Sequence, residues 1–290
     1  MGRPNSSPSR LHTPKDERAE PLQAASHKAC SAALVLNKVL TIARFTLLEA
    51  IRTRLLWIVL VILALLFLAS LFVQHIAVTE TARMQTGFLA ATARMAAVLV
   101  LSLHLAGSMV REFNDKGVDL LLSLALPRGG YYIGKFLGFA GIAIAIAALT
   151  TLALLPLTPS QGLALWGLSL AMELILVSAL TLFCVITFAQ IMPAISFVVA
   201  FYLLARSISA VRLLSTSQLL APNEWTNRAV ARLVDALAWL LPGLDRFALT
   251  TWLVDQSGGL SALAADALQT LVYGALLLGA GLFDLYRKNL

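Results

Sequence analysis

The chain has 290 residues, 59% of them hydrophobic and 13% charged, with a formal net charge of +7. A soluble domain carries about 25% charged residues, so this chain has too little polar surface to stay in water alone, and lipid is the solvent that its composition fits. Its basic residues cluster beside apolar runs, which speaks for a membrane surface and against nucleic acid, and Cys30 and Cys184 lie too far apart for a disulfide framework or a metal site.

Residues 1–35, rich in Pro, Ser and charge, read as a disordered cytoplasmic tail, and no signal-peptide pattern follows them. Residues 36–54 have helical periodicity. Val39, Ile42, Ala43, Leu47, Ala50 and Ile51 share one face, with Lys38, Thr41, Arg44, Glu49 and Arg52 mostly opposite. This run is too charged to span a bilayer, and an apolar run follows at once. It is expected to be an amphipathic helix lying along the inner interface.

A span needs ~20 largely apolar residues. Six runs qualify, at about 55–73, 88–110, 136–155, 165–188, 194–214 and 268–285. The fold class is therefore all-α: a polytopic membrane protein in which residues 36–290 form one transmembrane domain. The connection near Gln190–Pro193 is almost absent, so the fourth and fifth spans make a tight hairpin. Between the fifth and sixth spans, residues 227–241 are amphipathic. Pro242–Gly243 breaks that helix, and a second short helix is expected over Phe247–Val254. The region should pack on the outer surface or dip into it.

Orientation follows from the short flanks. With the N-terminus inside, fifteen of the 22 Lys and Arg residues fall on the cytoplasmic side, and the first outer loop holds only Arg83. Both termini are therefore expected in the cytoplasm.

Gly129–Lys135 (GGYYIGK) fits the first seven positions of a P-loop, but Phe136 stands where Ser or Thr would hold Mg²⁺ and a span follows. A packing role fits better: Gly134 and Gly138 form a GxxxG face. The sequence offers no HExxH, no GxSxG elbow and no paired intramembrane carboxylates. No catalytic residues, metal ligands or bound cofactor are expected, and the chain does not read as an enzyme.

Ionisable residues inside spans are costly and so are candidates for function. They are Arg94, His104, Glu173 and Arg206. Counted from the turn between the fourth and fifth spans, the depths of Glu173 and Arg206 differ by only about 5 Å, within reach of a side-chain pair.

The inner loop, 111–135, reads REFNDKGVDLLLSLALPRGGYYIGK. Asp119–Leu126 is a candidate short helix, with Glu112, Asp115 and Asp119 at its N-terminal side where a helix dipole favours them. Here the sequence resembles the permease subunits of type-2 ABC exporters. The matching positions are Glu112, Gly117, Leu120–Leu122, Pro127–Arg128 and Gly134–Lys135, and the opening TIARFTLLEAIRTRLLW is similar to the interfacial helix that starts those subunits. The likeness is greatest to the branch named for multicopper enzyme maturation.

The resemblance implies a bacterial cytoplasmic (inner) membrane location and a homodimer or paired permeases. It also implies docking of Glu112, Asp115, Gly117, Asp119, Pro127, Arg128, Gly134 and Lys135 on a separate cytoplasmic ATPase subunit, which would bind ATP and Mg. The chain would then move its substrate by alternating access. The alternatives are a gradient-driven secondary transporter and a non-transporting membrane assembly factor.

Overall fold

A computed structural model describes residues 19–76, 81–114, 128–158, 160–216, 232–238, 240–254 and 259–287. The described residues are helical with no strand. In chain order the helices are α1 (Ala19–Arg52), α2 (Leu55–Ile76), α3 (Thr81–Asn114), α4 (Arg128–Leu154), α5 (Ser160–Phe188) and α6 (Ile191–Thr216). A 3₁₀ turn at Leu244–Arg246, α7 (Thr250–Val254) and α8 (Leu260–Arg287) follow. Residues 232–238 are also helical.

Six of these helices, α2 to α6 and α8, are long and apolar enough to cross a membrane. They match the six runs expected, the third ending one residue earlier, and extend most of them by a turn or more. The extensions carry Gln85, Thr86 and Asp266, polar residues that the hydropathy pattern places outside a span but that the bundle buries. The protein is a multi-pass, all-α membrane protein.

α5 is the axis of the bundle. It packs on α3, α4, α6 and α8, and 72% of its spanning window is buried, against 17% for α8 and 22% for α2. A helix that is apolar all round belongs in such a position. α5 turns into α6 through Ala189 and Gln190 alone. Ala189 adopts a left-handed conformation (φ 55°), and its N–H donates to the Val185 carbonyl at 2.9 Å, closing the last turn of α5. Pro193 sits in the first turn of α6, where its missing N–H has no helical partner to lose.

α1 differs from the sequence expectation at its start. Residues 19–35, assigned to the tail, continue the helix. Their alanines favour it, and Pro21 stands in the first turn, where proline is tolerated. Residues 1–18 lie outside the described residues.

α1 runs beside α4 in the same direction. Val39 and Ile42 face Gly134, Ala43 and Thr46 face Gly138, and Leu47 reaches Gly141. A Cβ at Gly134 would stand 3.0 Å from the Ile42 Cβ and the Val39 carbonyl, so the glycines are what permits the approach. The buried line on α1 is accordingly Val39, Thr46 and Ala50, while Leu36, Leu40, Phe45, Leu48 and Ile51 are exposed. Most of the expected face is on the contact side: Val39, Ile42, Ala43 and Leu47 meet the seam and Ala50 is buried, while Ile51 is turned out.

Candidate functional site

The long connection between α6 and α8 does not stay at the surface. Residues 241–254, here called the strap, enter between the helices. Leu241, Pro242, Leu244, Phe247, Ala248, Trp252 and Leu253 are buried. Pro242–Gly243 stops the preceding helix, as the sequence indicates, and only a 3₁₀ turn and the five-residue α7 follow. The strap therefore carries backbone groups that need partners in a place with little water. Two glycines make room for it: Gly162 lies directly against the Trp252 carbonyl, and a Cβ at Gly87 would be 3.5 Å from the Thr250 Cγ2.

The partners come from three spanning helices. Arg94 Nη1 on α3 donates to the Ala248 carbonyl at 2.8 Å. Trp166 Nε1 on α5 donates to the same oxygen at 3.0 Å. The Ala248 N–H donates to Ser169 Oγ at 3.0 Å, and that hydroxyl donates to Asp266 Oδ2 on α8 at 2.6 Å. Arg206 Nη1 on α6 donates to the Leu244 carbonyl at 2.6 Å and the Phe247 carbonyl at 3.0 Å. Ala248 is held in the left-handed region (φ 46°), a strained conformation for a residue with a Cβ.

Behind this layer sits Glu173, fully buried. Its Oε1 accepts from the Tyr202 hydroxyl at 2.8 Å and lies 3.4 Å from Arg206 Nη1. Its Oε2 has no hydrogen-bond partner. Glu173 and Arg206 thus meet as their depths indicate, but Arg206 bonds the strap more closely than it bonds the acid. Four charges converge here, Arg94, Arg206, Glu173 and Asp266, equal in sign count and each anchored on a different spanning helix. Arg94, expected near the outer end of its span, points inward to the strap. His104 does not join them. It is half-buried, ten residues or about 15 Å further along α3.

A second cluster lies at the far end of α3 and the start of α4. Glu112 and Lys135 form an ion pair, and Lys135 stands 6.0 Å over the Phe139 ring. Ser108 Oγ donates to Glu49 Oε1 at 2.7 Å, which ties α1 to α3. Two of the residues assigned by resemblance to the partner interface therefore bond each other across the base of the inner loop. Gly134 is covered by α1. Arg128 is described only as the first residue of α4. Asp115, Gly117, Asp119, Pro127 and the short helix over Asp119–Leu126 lie outside the described residues.

The P-loop-like match is resolved by this geometry. Gly129–Lys135 lie inside α4, whereas a phosphate cradle needs a non-helical loop that points successive N–H groups inward. Among the described residues no three His, Cys, Asp or Glu side chains converge to hold a metal ion.

Sequence reasoning missed Trp166, Ser169, Tyr202, Asp266 and Glu49. Two signals were present. Ser169 and Tyr202 stand one helical turn before Glu173 and Arg206, on the same faces. Asp266 falls two residues before the sixth apolar run and becomes an intramembrane acid once that helix is extended.

No protein-family model matches the chain, and no curated protein matches it either.

Proposed function

We propose that this multi-pass protein is the membrane-spanning subunit of an ATP-driven exporter of the type-2 ABC kind, working in the bacterial inner membrane with both termini in the cytoplasm. The observation that carries the reading is the inner loop, residues 111–135, whose sequence resembles the motor-contacting loop of those permeases. Three features of the fold support it. The Glu112–Lys135 pair closes the base of that loop. The glycine seam ties α1 to α4 immediately beyond it. Glu49 on α1 bonds Ser108 on α3. A push delivered at the loop or at α1 would thus reach both α3 and α4. A second copy or a related permease completes the unit, and a separate ATPase supplies the energy by binding one state better than the other.

The test is affinity purification of the full chain from native membranes in mild detergent, followed by an ATPase assay. Asp115→Ala with Asp119→Ala removes the loop acids while leaving the Glu112–Lys135 pair intact. Co-purification of an ATP-hydrolysing subunit from the parent, lost in the variant, is the expected outcome. If no ATPase accompanies the parent protein, the reading fails.

One observation favours the gradient-driven alternative: a buried intramembrane carboxylate, Glu173, with an unpartnered oxygen, the kind of group that ion-coupled transporters use. That reading predicts uptake or release that follows an imposed ion gradient with no ATPase present.

A further inference from the structure

Three features of the strap bear on whether it is a fixed part of the bundle. Its shortest polar contacts are concentrated in one turn: Arg94, Trp166 and Arg206 donate to carbonyls of Leu244, Phe247 and Ala248 and Ser169 accepts from the Ala248 N–H, while Tyr273 donates to the Leu241 carbonyl at a longer 3.3 Å. Of these strap residues, Ala248 is strained in the docked conformation. The buried turn is also set off from the preceding helix by Pro242–Gly243, which cannot continue it. A short, locally strained piece whose backbone is held by side chains of other helices can open as one unit when those side chains change partners.

Arg206 and Glu173 are built unequally in a way that fits such opening. Arg206 is well bonded to the strap at 2.6 and 3.0 Å, and only loosely to Glu173 at 3.4 Å. Glu173 keeps one buried oxygen with no partner, which normally costs free energy. Were the strap to leave without an alternative, Arg206 would lose both carbonyls in a low-dielectric setting. The spare carboxylate oxygen is that alternative, on the group already beside it.

We infer that residues 241–254 dock and undock as one piece, and that Arg206 is the latch: on release it exchanges the Leu244 and Phe247 carbonyls for the free oxygen of Glu173. Water entering the vacated groove solvates Arg94 and Trp166, while Ser169 keeps its bond to Asp266. The strap is thus a gate at the end of the bundle opposite the inner loop. The inference does not rest on the exporter reading, since it concerns this chain alone.

The experiment measures the labelling rate of Ala248→Cys by a water-soluble maleimide. It uses the full chain in lipid nanodiscs, with Cys30 and Cys184 replaced. Because nanodiscs expose both faces, orientation does not enter. The docked residue is buried, so labelling reports undocking. Arg206→Gln should raise the rate about tenfold or more, since it removes charge-assisted bonds to the strap. Glu173→Gln should lower it, because it removes the partner that receives Arg206 on release.

The opposite signs are the point. If Glu173→Gln instead raises the rate in folded protein, Glu173 merely positions Arg206 and the exchange is wrong. If Arg206→Gln leaves the rate unchanged, Arg206 is not the latch. Should either variant fail to fold, Arg206→Lys, which keeps the charge but not the planar fork, must raise the rate. A disulfide between Gly87→Cys and Thr250→Cys, which tethers the strap to α3, must abolish labelling; persistence of labelling with the tether closed would overturn the proposal.

Discussion

The two polar clusters use charge for different ends. At the strap, cations on α3 and α6 hold backbone carbonyls of a non-helical segment, and the acids stand behind them. At the base of the inner loop, an acid and a base on α3 and α4 hold each other. The first arrangement secures a piece of chain that has no helix to satisfy it. The second ties together two helices whose internal backbone bonds do not depend on it. A backbone segment held by side chains can be let go by moving those side chains. A helix pair held by an ion pair and a glycine seam moves as a unit. In the scheme proposed above, the strap is the part that changes place and the loop base the part that transmits.

The sharpest way to break that comparison is to remove the acid from each cluster. Glu173→Ala leaves Arg206 and Tyr202 facing a fully buried vacancy, and breaking a buried pair in this way costs about 3–5 kcal/mol. Arg206 keeps its two carbonyls, which sets the expectation at the lower end. Thermal unfolding in detergent, with the monodisperse fraction as a second readout, measures it. The distinction drawn between the clusters fails if Glu173→Ala is no worse than the corresponding change at Glu112.

Next in size is the seam that lets the loop base transmit. A Cβ at Gly138 would come within 3.0 Å of the Ala43 carbonyl and closer still to Thr46. Gly138→Leu must therefore push α1 from α4, at a cost of about 1–3 kcal/mol for overpacking. Gly107→Ala is the control, because nothing lies within 4 Å of a Cβ there, and it should leave stability unchanged or slightly raised. Loss of a disulfide between cysteines placed at Ile42 and Gly134, whose Cβ positions lie 3.0 Å apart, in the Leu variant only, would locate the effect at the seam.

Much of this fold is legible from hydropathy alone. Six apolar runs of spanning length, a two-residue hairpin turn and a proline–glycine break require no tertiary information. The Glu173–Arg206 meeting is also legible, because two antiparallel helices joined by a tight turn fix relative depth. The strap's interior position is not. Its residues (LPGLDRFALTTWLV) alternate neither with a strand's period nor clearly with a helix's, and burial depends on Gly87 and Gly162 leaving room in other helices. Asp266 was hidden for a related reason: it sits at the margin of an apolar run, where sequence alone reads an acid as solvated and only the neighbouring helices bury it.

A smaller effect is expected at the loop base. Glu112→Gln leaves Lys135 buried with a neutral partner, but Glu112 is 20% exposed, and water at the helix end offsets part of the loss. About 1–2 kcal/mol is a reasonable scale for a partly screened pair. The charge reversal Glu112→Lys with Lys135→Glu should recover most of it in a double-mutant cycle. Absence of coupling in that cycle would mean that the two residues share the site without depending on each other, and the loop base would lose its stated role.

The smallest effect, that of Trp166→Phe, is read beside Ser169→Ala and tests how the strap's central peptide groups are held. The Ala248 oxygen accepts from both Arg94 and Trp166, so losing one donor does not strand it. Trp166→Phe removes one neutral hydrogen bond and leaves an aromatic ring in the same slot, at about 0.5–1.5 kcal/mol. Ser169→Ala should cost more, about 1–3 kcal/mol, because one hydroxyl satisfies both the Ala248 N–H and the Asp266 carboxylate. The order of the two in thermal unfolding is the informative quantity. If Trp166→Phe proves the more damaging, the arginine bond does not suffice for the carbonyl, and the hold on the strap lies with the axis helix α5 rather than being shared with the cations of α3 and α6.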